Sequence, residues 1–158
     1  MQFTKLAIVS FLASVGLAAP TEAGEAGLSK RARESVHLVD CITYQAAVYY
    51  ADDSQDNVFP GNNNECVSNG GFNEGSGTSC RFGSGVTFSW ALSSDARSAP
   101  DALKVGTGNN GFHNFNCFRD DNHVLYADGN GHTCSSIYVC FDRLGDDYST
   151  VGKLGFQE

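Results

Sequence analysis

The chain has 158 residues and a formal net charge of −8. Six cysteines, 18 glycines and only 18% charged residues exclude a typical cytosolic helical protein and favour a small, loop-rich, secreted β domain. The excess of 18 acidic over 10 basic residues argues against a nucleic-acid partner, which needs clustered lysine and arginine, and against binding to anionic membranes.

The first 18 residues have the features of a secretory signal peptide. Lys5 precedes an apolar run at 6–17, which is too short to span a bilayer of about 30 Å. Gly16 and Ala18 supply the small residues at positions −3 and −1 when cleavage follows Ala18. Because no second long apolar run follows, we expect a secreted, extracellular protein without a membrane span.

Residues 19–31 predict a short propeptide. The segment is small, polar and acidic, and it ends in the dibasic pair Lys30–Arg31, which proprotein-processing proteases recognise. Cleavage after Arg31 leaves 127 residues with seven basic and 16 acidic side chains, a net charge of −9. The alternative is an extension that is never cut. We expect a disulfide-bonded domain at 32–144 and a polar tail at 145–158.

All six cysteines lie in the expected mature part, and an even number in a secreted domain of this size predicts three disulfides. The chain has no Cys-x-x-Cys motif, so zinc fingers and thioredoxin-like redox sites have no support. A bond between Cys66 and Cys80 would close a Gly/Asn/Ser loop and add roughly 3 kcal/mol of stability. We predict two further pairs, one joining the first and last strands and one across a hairpin: Cys41–Cys140 and Cys117–Cys134.

Strands are predicted where apolar and polar residues alternate. The first two fall at 36–43 and 45–50, whereas 52–77 is rich in turn-forming residues and is expected to be loop with at most short strands. The clearest strand is 86–92. Its alternation places four large apolar side chains on one face: Val86, Phe88, Trp90 and Leu92.

The second half of the chain continues this pattern. Segment 93–108 is a helical candidate of about one turn, because it contains a proline and ends in glycine. Short strands are predicted at 112–119 and 124–127, and a turn at 128–131 leads into a last strand at 133–141. The whole pattern predicts an all-β fold, a small disulfide-stapled antiparallel β-sandwich or barrel.

Two segments of the chain resemble each other, Tyr50–Asp53 and Phe118–Asp121. Each has an aromatic residue and an adjacent acid pair, followed by a loop, a cysteine and a serine before a β-branched strand. This layout resembles that of βγ-crystallin-like secreted proteins, and the resemblance implies a duplicated four-stranded Greek key. Residues 74–79 match part of that family's calcium motif.

Candidate catalytic residues are sparse. The second half of the chain contains three histidines, His113, His123 and His132. Together with Glu65, Glu74 and Arg119 they supply the residue types of a ribonuclease-like acid/base pair. Their spacing supports no defined site, so no catalytic residue is assigned. His37 lies in the first strand and is expected to be packed or at the surface.

Three adjacent acid pairs are candidate cation ligands: Asp52–Asp53, Asp120–Asp121 and Asp146–Asp147. Neighbouring residues on a strand point to opposite faces, so such pairs do not by themselves form a glycosidase dyad. Solvated turns are the expected state and Ca²⁺ is the alternative cofactor.

Three tyrosines near the second predicted strand, Tyr44, Tyr49 and Tyr50, are candidates for a binding surface and equally for the core.

The arrangement of signal peptide, Lys-Arg propeptide, about 127 mature residues and paired cysteines resembles the small secreted cysteine-rich proteins of filamentous fungi. Segments HLVDC at 37–41, GVTFSW at 85–90 and SIYVC at 136–140 are similar to one such group. This resemblance implies a non-enzymatic, effector-like protein that binds a host or microbial partner outside the producing cell. The alternatives are a killer-type or antimicrobial toxin and a small secreted ribonuclease-like hydrolase.

Overall fold

A computed structural model describes residues 32–68 and 70–142. The predicted signal peptide, propeptide and polar tail lie outside the described residues. Within these residues no helix is long and apolar enough to cross a membrane. The described chain forms nine strands: β1 (Ser35–Asp40), β2 (Gln45–Tyr50), β3 (Glu65–Ser68), β4 (Gly77–Arg81), β5 (Thr87–Leu92), β6 (Lys104–Asn109), β7 (Asn114–Arg119), β8 (Val124–Ala127) and β9 (Thr133–Asp142).

The strands form one antiparallel sheet that curls nearly into a barrel, in the order β3-β2-β1-β9-β7-β6-β5-β4. The Cys66–Cys80 disulfide joins the two edge strands, β3 and β4. β7 and β8 pair with the same edge of β9, one after the other, and residues 120–123 separate these two strands. The predicted all-β, antiparallel, disulfide-stapled fold is confirmed. The duplicated Greek key stays a prediction.

Side chains are buried on both faces of the wall made by β1, β2 and β9. One cluster fills the barrel with large apolar side chains, among them Val36, Leu38, Phe88, Trp90, Phe115 and Tyr138. A second cluster, on the outer face, contains residues of β2 and β8 and packs against Phe59 from the segment between β2 and β3. Outward-facing residues of β1 are therefore covered, although a barrel wall normally exposes them.

Several strand predictions are confirmed. β2 and β8 have the predicted bounds, and β5 buries Phe88, Trp90 and Leu92 while its alternate residues are exposed. The first predicted strand ends at Asp40 rather than at position 43.

The segment 93–108 contains about one helical turn, as predicted, but its last part forms a strand that was not predicted. Helical turns are limited to Ala96–Ser98, and the later residues form β6. Glycine is poor in strands, but here close packing requires it. A Cβ at Gly106 would lie 2.3 Å from the Ala91 carbonyl oxygen, and one at Gly108 would lie 2.4 Å from the Phe88 ring.

Cys66–Cys80 is paired as predicted, but the other two predicted pairs are wrong, because the disulfides are Cys41–Cys134 and Cys117–Cys140. β1 and β9 are antiparallel, so the end of β1 lies beside the start of β9, and Cys41 meets Cys134. β7 pairs with the second half of β9, which places Cys117 directly opposite Cys140. Three disulfides fit an extracellular protein.

The Cys66–Cys80 disulfide, which joins the edge strands β3 and β4, gives a testable prediction. In the chain-entropy model, replacing both Cys66 and Cys80 by serine lowers the free energy of unfolding by about 3 kcal/mol. Loss of the much longer crosslink between Cys41 and Cys134, which are 93 residues apart, costs about 4.7 kcal/mol. Urea unfolding measures both values. Hydrogen exchange in the Cys66/Cys80 variant should rise first in β3 and β4, and faster exchange in β1 and β9 instead would contradict the prediction.

Candidate functional site

One end of the barrel opens into a pocket of about 350 Å³, which we call the barrel mouth. Antiparallel connectivity brings five parts of the chain to this end: the segment before β1, the end of β2, the segment before β3, and the turns β4–β5 and β6–β7. Barrel mouths are common ligand sites because they are concave and rigidly framed. The lining is mainly aromatic and polar, and includes Glu34, Tyr49, Phe82, Asn110, Phe112 and His113.

The β6–β7 turn presents Phe112 at the rim, where the residue is 79% exposed. The Asn110 side-chain oxygen accepts hydrogen bonds from the backbone N–H groups of Phe112 and His113, at 2.9 and 2.7 Å. The Asn109 side-chain oxygen accepts another from Gly111, at 2.6 Å. These local bonds fix the turn, so a partner that buries Phe112 does not first have to order the loop.

The mouth also contains titratable side chains. Ligand atoms of Glu34, His113 and Asp142 lie within 4.8 Å of one another. Asp142 ends β9, and its backbone N–H donates to the Glu34 carbonyl at 3.3 Å. The candidate histidine His113 thus lies beside a pocket and near two carboxylates that were not in the predicted ribonuclease-like set.

The three candidate histidines do not come together. His113 precedes β7 and His123 follows it, so a six-residue strand spanning about 20 Å separates them. His132 lies at the β8–β9 turn, where its ring is 3.0 Å from Asp128.

The remaining members of the predicted ribonuclease-like set are also dispersed. Glu65 accepts a hydrogen bond from Tyr126, and Glu74 accepts one from Tyr138. Arg119 is buried and donates to the backbone carbonyl of Ile137 at 2.9 Å.

The three candidate tyrosines do not share one surface. Tyr50 is only 5% exposed, and its hydroxyl donates to the backbone carbonyl of Val58, in the segment between β2 and β3. The Tyr44 hydroxyl lies 3.4 Å from Glu65 and 3.3 Å from Asp128, and burial together with these carboxylates raises the pKa of Tyr44 to about 12. Tyr49 alone reaches the mouth.

A buried charged cluster surrounds His37 on the outer face of the barrel wall. His37 alternates with the interior residues of β1 and is only 2% exposed. Its Nε2 lies 3.3 Å from Asp53, and its Nδ1 lies 2.8 Å from the Ser136 hydroxyl and 3.7 Å from Asp120. We call these four residues the His37 clamp. The sequence left open whether His37 is packed or at the surface; the structure shows it packed, with partners that sequence reasoning missed.

Two of the predicted acid pairs supply the clamp carboxylates. Asp53 comes from the segment after β2, and Asp120 comes from the interruption between β7 and β8. Both carboxylates lie in the two similar segments, Tyr50–Asp53 and Phe118–Asp121. The similarity of these segments was therefore the sequence signal for the clamp. The third pair, Asp146–Asp147, lies outside the described residues.

The clamp favours a protonated imidazole between ionised carboxylates. Burial disfavours the charge, but Asp120 and Asp53 outweigh it and raise the pKa of His37. Burial likewise opposes ionisation of Asp120, yet the nearby His37 imidazole and Ser136 hydroxyl lower its pKa to about 2. The pKa of Asp53 is lowered in the same way by His37 and Arg33. Burial raises the pKa of the neighbouring Asp56, a shift opposite in direction to those of Asp53 and Asp120.

Serine, histidine and aspartate in mutual contact are the residue types of a hydrolase triad. Ser136 is completely buried, however, so no substrate reaches its hydroxyl in this arrangement. The geometry therefore gives the clamp a structural role: it ties two external segments to β1 and β9.

In the part of the chain that the structure describes, three groups of histidine and carboxylate side chains have potential ligand atoms within 4.8 Å of one another: Glu34, His113 and Asp142; His37, Asp53 and Asp56; Asp120, Asp121 and His123. The last two groups overlap the ion pairs of the clamp. Calcium binding stays a prediction.

No family model, curated protein or solved structure matches this chain.

The clamp predicts an acidic optimum of stability. The raised pKa of His37 gives stability that is fully present below about pH 6.5 and is lost as the pH rises through the folded value. The lowered pKa values of Asp120 and Asp53 give stability that is present above about pH 3.8 and is lost as the pH falls towards 2. The free energy of unfolding should therefore be greatest between about pH 4 and 6.5, as measured by urea titrations at several pH values.

The H37Q substitution tests the assignment, because it removes the buried imidazolium that Asp53 and Asp120 share. We expect a loss of about 3 kcal/mol at pH 5.5 and a flatter profile from pH 6.5 to 9. H132Q, which removes a histidine far from the clamp, serves as the control and should retain the wild-type slope. A wild-type profile that is flat above pH 5.5 would count against the clamp.

Proposed function

We propose that this protein is secreted and acts outside the producing cell by binding a host or microbial partner through the barrel mouth, without catalysing a reaction. The observation that carries this proposal is the fixed β6–β7 turn, which presents an exposed phenylalanine beside an aromatic pocket. Rigid aromatic side chains next to pockets are the usual anchors of protein interfaces.

Other observations support the extracellular part of the proposal. Three disulfides suit an oxidising compartment, and the N-terminal sequence has the pattern of a signal peptide followed by a dibasic processing site at Lys30–Arg31. The resemblance to small secreted fungal proteins favours an effector-like role towards a host plant. A killer-type toxin would use the same surface on a microbial target.

The dispersed histidines weigh against a ribonuclease. The remaining alternative for acid/base chemistry is the Glu34–His113 pair at the mouth, which an RNA-digestion assay tests directly. We expect purified residues 32–158 to cleave RNA no faster than the H113A variant or a buffer blank. Cleavage that disappears in H113A but persists in H123A and H132A would replace the binding proposal with a hydrolase.

The binding proposal is tested by infiltrating purified residues 32–158 into host leaf tissue and scoring cell death and defence-gene induction over a dilution series. We expect a response whose half-maximal dose rises about tenfold in F112A, because truncation of a hot-spot aromatic residue costs at least about 1.4 kcal/mol. L103A is the matched control: Leu103 is 52% exposed but precedes β6, at the other end of the barrel.

The same samples are tested for growth inhibition of yeasts and bacteria, where an F112A-sensitive effect would identify a microbial target. Absence of any response in both assays, together with unchanged virulence after gene deletion, would refute the proposal.

A further inference from the structure

The line between the edge strands β3 and β4, which we call the seam, has no strand ladder across it in the described sheet. β3 pairs with β2 and β4 pairs with β5, so the two strands stand at opposite ends of the strand order. Near the mouth, the Ser84 N–H donates to the Asn63 carbonyl at 3.0 Å across the seam. Further along, the Cys66–Cys80 bond joins the strands themselves, in a place where other neighbouring strands have a row of backbone hydrogen bonds.

The Cys66–Cys80 bond is also the most accessible of the three disulfides. Cys66 is 6% exposed and Cys80 is half-buried. The cysteines of the other two disulfides are each 0% exposed: Cys41, Cys117, Cys134 and Cys140. Thiol–disulfide exchange begins when a thiolate reaches a disulfide sulfur, so its rate depends on access. A dissolved thiol therefore reaches the seam disulfide first, at Cys80.

Residues 70–76, from the connection between β3 and β4, close the end of the barrel opposite the mouth, and we call them the plug. β3 runs towards that end, because Ser68 lies opposite Gln45 at the start of β2. Phe72 is 2% exposed and belongs to the interior cluster, where its ring meets the Tyr138 ring edge-on with the centres 5.5 Å apart. The seam disulfide joins the two strands from which the plug extends.

Trp90 connects the plug to the core. Its indole N–H donates to the Phe72 carbonyl at 2.9 Å, and the residue is only 2% exposed. It lies on β5, opposite Thr78 of the seam strand β4. Because the chain contains a single tryptophan, its fluorescence reports on this one position. Withdrawal of the plug would break the hydrogen bond and admit water to the indole ring.

We propose that the seam disulfide is a redox switch, which a dithiol reductant cleaves selectively in the folded protein, opening the seam and releasing the plug. One thiolate of the reductant attacks the Cys80 sulfur, and the Cys66 thiolate leaves and takes up a proton. The second thiol of the reductant attacks the mixed disulfide and displaces Cys80, which is also protonated. The reductant becomes a disulfide, and the protein gains two thiols.

The change stays local because the other crosslinks are buried and lie between paired strands. Cys117 and Cys140 face each other in the β7–β9 ladder, and Cys41 and Cys134 lie beside the β1–β9 ladder. A crosslink limits the freedom of the segment that it closes, so its loss raises the population in which the plug is open. The switch acts at the end of the barrel opposite the proposed binding surface and does not depend on that proposal.

Limited reduction followed by alkylation tests the selectivity. The oxidised, purified protein is incubated without denaturant in a dithiothreitol series, free thiols are blocked with iodoacetamide, and peptide mass spectrometry identifies them. We expect Cys66 and Cys80 to be labelled at dithiothreitol concentrations at least about tenfold below those that label the other four cysteines. Labelling of Cys41 or Cys117 at the same concentration would overturn the inference.

Tryptophan emission and hydrogen exchange test the release of the plug. We expect selective reduction to shift Trp90 emission to longer wavelength and to speed exchange in the plug about tenfold, while β1, β7 and β9 keep their protection. Unchanged emission and exchange after full labelling of Cys66 and Cys80 would overturn the switch.

The double variant C66S/C80S is the matched control. We expect it to show the shifted Trp90 emission without reductant and to give no further change in the selective range of dithiothreitol. A further change of the same size in this variant would overturn the assignment to the seam disulfide. If the variant fails to fold, the reduction series on the wild-type protein decides the question.

Discussion

The antiparallel pairing of β1 with β9 is the interaction on which the other features of this structure depend. It joins the first and last strands of the described domain, and its register brings Cys41 beside Cys134. The opposite edge of β9 carries both β7 and β8 and forms the Cys117–Cys140 bond. One ten-residue strand thus holds two of the three disulfides, and its last residue, Asp142, reaches the barrel mouth.

The alternation of side chains along β1 connects the core, the clamp and the mouth. Val36 faces the barrel interior and also lines the mouth, whereas His37, the next residue, faces outward into the clamp. The clamp fixes two external segments against the wall that supports the mouth. The clamp therefore contributes to the rigidity of the mouth, because loosening β1 would move Glu34 and Val36 together.

Sequence reasoning predicted the features that depend on local patterns. Alternation in β5 and the short loop between Cys66 and Cys80 are visible within about 15 residues. The other disulfides depended on strand order and register, which local patterns do not encode, and joining Cys41 to Cys140 ignored the antiparallel direction. β6 was missed because Gly106 and Gly108 are there for close packing against β5, a reason that strand propensity does not include.

The candidate site was harder to predict than the fold because its members are dispersed in sequence. Glu34, His113 and Asp142 come from three separate parts of the chain, and only the β1–β9 pairing and the β6–β7 turn bring them to one end. The composition did indicate an acidic protein, but not where its charge acts. Adjacent positions across β4, β5, β6 and β7, exposed or half-buried, form an uncharged row: Ser79, Ser89, Asn109 and Asn114.

The acidic groups are therefore unevenly distributed. Asp53 and Asp120 neutralise a buried imidazolium, and Asp128 is held by the β8–β9 turn, where hydrogen bonds from His132 and Asn130 oppose the effect of burial and lower its pKa to about 2. These carboxylates serve the fold. Glu34 lines the barrel mouth, a pocket with aromatic walls. In this protein Asp53 and Asp120 use their negative charge in internal pairing, and we predict that this pairing sets the pH range in which the fold is most stable.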